Sequence, residues 1–187
     1  MPPLYFYTLK KFFINLKKRI DFQFESGIMI VSKEDKTMLK TMIDTYNEFS
    51  YTHWYFFGVV FARKVWLVKV DSSILPYVLK LDKASRGKGY SLRFKPNNKI
   101  RAMLLVCGAE PICSVEYFNT LVAESKYNKG EVFEKLVTEY FGQTWEKDSV
   151  PFTDDGDLTV DGIAYQIKFE SATFLTEAQM VRLRAGE

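Results

Sequence analysis

The chain is poor in the residues that build soft-metal sites and crosslinks. It has one histidine, His53, and two cysteines, Cys107 and Cys113. A structural zinc centre takes about four His or Cys ligands, so a zinc site built from them is not expected. The cysteines lie six positions apart across a Gly-Ala-Glu-Pro break. They read as thiols of a reduced, cytoplasmic protein before they read as a disulfide. Long apolar runs are missing too. None reaches the ~18–20 residues of a membrane span, so a membrane partner is not the leading expectation. There is no internal repeat and no low-complexity tract. Metal chemistry here would have to use carboxylates, amides and water, which suits Mg²⁺ or Mn²⁺.

What is present is a large apolar content: 47% hydrophobic and 16% aromatic residues in a chain of 187. That length suits one domain or two small ones and buries a real core. The net charge of +3 conceals an asymmetry. Residues 111–187 hold seven Lys and Arg against fourteen Asp and Glu, a balance of −7, which leaves +10 for residues 1–110. A basic front and an acidic back suggest backbone binding in one and metal binding in the other; ordinary solvated surfaces are the plainer reading.

Residues 1–28 are basic and aromatic, with Leu9, Phe13, Leu16 and Ile20 at helical spacing. Three readings stand: a docking helix, an extension upstream of a natural start at Met29, and a membrane-surface helix. Residues 29–110 are expected as an α+β module. Ser32–Phe49 reads as a helix, with Leu39, Met42, Ile43 and Tyr46 on one face. Trp54–Phe61 and Val65–Val70 read as strands. Ser73–Leu81 is ambiguous around Pro76. Tyr90–Lys95 and Lys99–Cys107 are expected to form a hairpin turned at Pro96-Asn97-Asn98. Gly108–Pro111 is the expected boundary. In 111–187, helices are expected over Ser114–Ser125, Gly130–Phe141 and Thr176–Arg184, with a strand over Trp145–Phe152.

The segment Gly156–Glu170, GDLTVDGIAYQIKFE, carries the most information. Asp161-Gly162 is a two-residue turn signal between strand-like runs. With that turn, Val160 pairs with Ile163 and Asp157 falls opposite Gln166. Alternation puts Asp157, Thr159, Ala164, Gln166, Lys168 and Glu170 on one face and Leu158, Val160, Ile163, Tyr165, Ile167 and Phe169 on the other. An acid therefore faces an amide, with a lysine one step along.

Asp157 followed by Gln166-Ile167-Lys168 resembles the PD-(D/E)XK nuclease superfamily, in the Q-x-K variant of Mrr-type restriction enzymes. Lys129-Gly130-Glu131-Val132-Phe133-Glu134 is similar to the G-x-x-x-E helix start of archaeal Holliday-junction resolvases. The resemblance covers roughly residues 126–177. It implies a mixed α/β fold of the α+β kind, with a C-terminal restriction-endonuclease-like core around a central β-hairpin. It also implies a Mg²⁺- or Mn²⁺-dependent endonuclease acting on DNA. Asp157, Gln166, the Ile167 carbonyl and Glu134 would hold metal, and Lys168 would assist the chemistry. Glu134 borders the apolar face of its helix, whereas Glu131 points further into solvent. Asp154, Asp155 and Glu170 are lesser candidates for a second metal. Each residue also has a structural reading: a strand-edge Asp, a hydrogen-bonded Gln, a Lys paired with Asp155, a Glu at an amphipathic border.

Two departures matter. Gln stands where an acid is commoner, and the family core ends with a further strand after its last helix, whereas this chain stops at Glu187. Either the N-terminal part supplies that strand or the core is cut down. The alternative is therefore a non-catalytic nuclease fold that binds DNA or a protein partner, as an accessory or counter-defence factor of a mobile element. Relatives of this kind often cut as homodimers. A basic cluster, Lys80, Lys83, Arg86, Lys88, Arg93, Lys95, Lys99 and Arg101, suits a phosphate backbone. Within it Arg86, Lys88, Arg93, Lys95, Lys99 and Arg101 are the expected nucleic-acid contacts.

Overall fold

The computed structural model describes residues 37, 39–44, 53–83, 90–147 and 156–174. The segment 1–28, Arg86, Lys88, Asp154, Asp155, the 148–152 part of the expected strand and the expected 176–184 helix lie outside them. Of the Ser32–Phe49 helix, residues 37 and 39–44 are described and are helical (α1).

Trp54–Phe61 (β1) is a run of aromatic and β-branched residues interrupted by Gly58, and it is buried on both faces. Such a run suits the middle of a sheet. Lys64–Asp71 (β2) returns antiparallel to it, with Phe61 opposite Lys64. The two linking residues, Ala62 and Arg63, both have positive φ, 47° and 60°. That is the backbone sense of a type I′ hairpin, here made without glycine. The Arg63 carbonyl also accepts the Val115 amide at 3.1 Å.

A 3₁₀ turn at Ser72–Ile74 and a short helix at Leu75–Val78 (α2) lead into Leu79–Lys83 (β3). Tyr90–Phe94 (β4) pairs antiparallel with β3. The expected partner of β4 was Lys99–Cys107, but that segment is a helix, Asn98–Val106 (α3). Asn97 is its N-cap rather than a hairpin turn residue: its side chain accepts the Ile100 amide at 3.0 Å. Ile100 and Leu104 then fall on one buried face at helical spacing.

Ala109–Ser114 (β5) pairs with β2, with a register shift between Val65 and Trp66. Val115–Glu124 (α4) starts on a Ser114 cap, and Lys129–Tyr140 (α5) starts on an Asn128–Glu131 capping box. Leu158–Val160 (β6) and Ile163–Phe169 (β7) form the expected hairpin, with Val160 opposite Ile163 and positive φ at Asp161 and Gly162. Ala172–Thr173 (β8) closes on β4.

The fold is mixed α+β. One sheet has the order β5-β2-β1-β7-β6, and a second has β3-β4-β8. The expected boundary at Gly108–Pro111 runs into β5, which lies in the same sheet as β1 and β2. The strand beside β7 is β1, and it runs parallel to it, Trp54 opposite Tyr165 and Gly58 opposite Phe169. The N-terminal side of the chain thus supplies a parallel neighbour for the Q-x-K strand. Among the described residues, no helix is long and apolar enough to cross a membrane.

The large sheet separates two cores. Tyr55, Phe57 and Val59 point to one, with α1, α3 and the small sheet; Phe56, Tyr165, Ile167 and Phe169 point to the other, with α4 and α5. The thiols of Cys107 and Cys113 are free, and each packs against a different one of these cores. Gly58 is essential to the second core. A Cβ there would lie 2.4 Å from Phe169 Cδ2 and 2.5 Å from Phe133 Cζ. Gly58→Ala is expected to cost about 1–3 kcal/mol through overpacking. That lowers the melting midpoint by roughly 2–4 °C per kcal/mol, and thermal unfolding checks it.

Candidate functional site

Asp157 lies one residue before the last pair of the hairpin, Leu158–Tyr165, and contacts β7 at Tyr165 and Ile167. Its amide donates to the Tyr165 carbonyl at 2.8 Å, one step beyond the Leu158–Tyr165 pair. Its carboxylate then does what a longer β6 would have done. Asp157 Oδ2 accepts the Ile167 N–H at 2.6 Å, on the stretch of β7 that β6 does not reach. A strand residue's N–H and C=O point to the same side, so the Ile167 carbonyl faces this edge as well.

Gln166 and Lys168 alternate with the core residues of β7 and lie beside Tyr55 and Phe57 of β1. Gln166 is buried and Lys168 half-buried. Lys168 Nζ donates to Gln166 Oε1 at 2.9 Å. The amide oxygen is thereby oriented and satisfied, as a buried polar group requires. One carboxylate, one amide and one ammonium are gathered at the Gln166–Ile167 peptide, with formal charges that cancel.

Glu134 is not part of this group. It lies on α5, which packs against the Tyr165–Ile167–Phe169 face, and its Oε1 accepts the Trp145 indole N–H at 2.8 Å. Trp145 belongs to a strap after α5 that crosses Tyr127, ring centroids 5.1 Å apart. Glu131, expected to be solvent-facing, fastens the same strap. It completes the capping box and binds Lys147 at 2.6 Å. Glu170 and Arg101 are likewise structural. Glu170, at φ 49°, turns the chain out of β7. Its carboxylate accepts the Val60 amide at 2.7 Å and the Arg101 guanidinium at 2.6 and 3.2 Å. Arg101, expected on DNA, is committed to this contact. Lys95 and Lys99 are exposed and Arg93 half-buried.

Among the described residues, no group of three His, Cys, Asp or Glu side chains could hold a metal ion. The donor set at the hairpin is one carboxylate, one backbone carbonyl and one amide oxygen. All are hard ligands, and Mg²⁺ is commonly held by one or two carboxylates completed by water and substrate phosphate. These are the oxygens that could hold such an ion, with Gln166 Oε1 already accepting the Lys168 ammonium. No family model, no curated protein and no solved structure matches the chain.

The Glu131–Lys147 pair makes the strap pH-sensitive. The Lys147 ammonium, and then the Asn128 amide, hold Glu131 below the ordinary carboxylate range. The same hydrogen bond raises Lys147. A lowered acid contributes stability above its unfolded value that is lost as pH falls through the folded one; a raised base loses its contribution as pH rises through its own. The stability difference between wild type and Lys147→Ala, small because the pair is exposed, should be present at neutral pH. It should vanish on acidification below the glutamate range; urea unfolding over a pH series measures it.

Proposed function

We propose that the protein is a metal-dependent endonuclease of the PD-(D/E)XK kind, acting on DNA. The observation that carries this is the contact set of Asp157, Ile167, Gln166 and Lys168 on the stretch of β7 that β6 does not reach. The parallel β1–β7 pair supports it further, since the family core has one more strand than the C-terminal part offers and the N-terminal part supplies a parallel neighbour to β7. In this reading Asp157, the Ile167 carbonyl and Gln166 hold Mg²⁺ or Mn²⁺. When bound, the ion supplies an acidified water and screens phosphate charge. The Lys168 ammonium, held at Gln166 Oε1, stabilises the charge that develops on the phosphate oxygens. Asp157 anchors the edge through the Ile167 amide while offering its second oxygen.

A second reading is favoured by Glu134, whose carboxylate Trp145 engages on the other face. With one acid at the hairpin, the fold serves as a non-catalytic binder of DNA or of a protein partner. Cleavage of supercoiled, linear and branched DNA with Mg²⁺ or Mn²⁺ separates the two. Lys168→Ala and Asp157→Asn are each expected to lower cutting by about 100-fold or more. Asp157→Asn keeps an acceptor for the Ile167 amide, so its stability should stay within about 1 kcal/mol of wild type. Wild-type protein that binds DNA or a protein but cuts nothing under either metal establishes the binder.

A further inference from the structure

We propose that Arg101 is a positioning residue for Lys168: by occupying the Glu170 carboxylate, it keeps the lysine ammonium on Gln166 and leaves its charge for a phosphate. This rests on the nuclease reading and adds to it how the lysine is kept usable. Lys168 is flanked by two polar residues, Gln166 two positions before it and Glu170 two positions after. Residues two positions apart lie at most about 7.2 Å apart, whatever the backbone does between them. Lys168 spans such a step backwards, since its Nζ donates to Gln166 Oε1 at 2.9 Å. The same flexible four-carbon stem has the reach to span it forwards, to Glu170.

Charge alone favours the other partner. An ammonium bonds more strongly to a carboxylate than to a neutral amide, yet among the described residues Lys168 forms no ion pair. The reason lies on α3. Glu170 already accepts the Arg101 guanidinium at 2.6 and 3.2 Å and the Val60 amide at 2.7 Å. Arg101 is in turn oriented from its own helix, donating to Asn98 Oδ1 at 3.1 Å. A guanidinium fork matches the geometry of a carboxylate, which a point-like ammonium does not. The pair is partly buried, its side chains 22% and 23% exposed, so salt screens it less than a surface pair. The charge of Glu170 is thus matched within the clamp, and the neighbouring ammonium rests on an uncharged oxygen. A lysine in that state keeps its charge for developing charge on phosphate oxygens. Paired with Glu170, it would be neutralised and drawn towards the exit of β7.

The test compares wild type, Arg101→Gln and Arg101→Gln/Glu170→Gln. Cleavage of DNA with Mg²⁺, thermal melting and the Gln166 side-chain amide signals in ¹H–¹⁵N NMR are recorded for each. Arg101→Gln frees Glu170 to take Lys168. Its kcat should fall by up to about 100-fold with KM little changed, and the Gln166 signals should shift. Adding Glu170→Gln removes the competing carboxylate. Most of the lost kcat and the wild-type Gln166 signals should then return, although the clamp stays broken and melting stays below wild type. If the clamp only stabilises the fold, cutting follows the folded fraction and the Gln166 signals stay in place in both variants; that result overturns the proposal. Should Arg101→Gln not fold, Arg101→Lys, which keeps a cation on Glu170 but opens one of its oxygens, makes the same comparison with and without Glu170→Gln. Wild type that cuts, with Arg101→Gln cutting at the wild-type rate, sinks the positioning role and leaves the hairpin reading standing. Wild type that cuts nothing sinks the hairpin reading, and the Gln166 signals then decide the lysine's pairing by themselves: unchanged in Arg101→Gln, they overturn it.

Discussion

The absence of a side chain at Gly58 is the constraint on which the large sheet depends. Phe133 from α5 and Phe169 from β7 both close on the space that a Cβ would occupy. Their ring centroids are 5.0 Å apart, and Phe118 from α4 stands 4.8 Å from Phe169. Three elements distant in sequence thus meet over one residue of β1. The same residue's carbonyl accepts the Glu170 amide at 3.0 Å. Gly58 therefore fixes both the aromatic packing on one face and the point at which β7 leaves the sheet. Aromatic rings carry large buried area, so a displacement here moves the strand that bears Gln166 and Lys168.

Beyond Gly58, the exit of β7 is held by charge. Glu170 sits in a left-handed conformation that a non-glycine residue adopts only when its surroundings over-determine it. Those surroundings are a backbone amide of β1 and the two-pronged guanidinium of Arg101 on α3. A bidentate arginine–carboxylate pair is directional as well as attractive. It ties β1, β7 and α3 together two residues past Lys168, so the lysine belongs to a rigid strand end. A side chain carried on a fixed strand holds its geometry better than one on a loop.

Local signals were legible in the sequence and long-range ones were not. The Asp161-Gly162 turn set the hairpin register, and alternation sorted its faces correctly, because both are properties of a few adjacent residues. The same locality misled at Pro96-Asn97-Asn98. Asparagine serves turns and helix caps alike, and the buried spacing of Ile100 and Leu104 decided for the cap. Arg101 sits in a run of cations that suits a phosphate backbone, but its partner, Glu170, lies 69 positions away. A motif and a helical wheel point to Glu134, but they identify the border of a helix face, not which side of the sheet that helix covers. Gly58 had only the weak signal of a glycine inside a strand, a mark of close approach.

The parallel β1–β7 pair also changes how the charge asymmetry is to be understood. Basic front and acidic back suggested two modules with separate tasks. In the folded chain the front half supplies the strand next to the Q-x-K strand, and the back half supplies β8, which completes the small sheet. Each half is thus stitched into the other's sheet. Parallel neighbours need a long crossover, and here nearly the whole described chain is that crossover, from Phe61 to Ile163. The strand pairing around the hairpin is thus not a property of one segment. The link from β7 to β8 is a few residues long, and Glu170, the first of these, is the one the arginine holds.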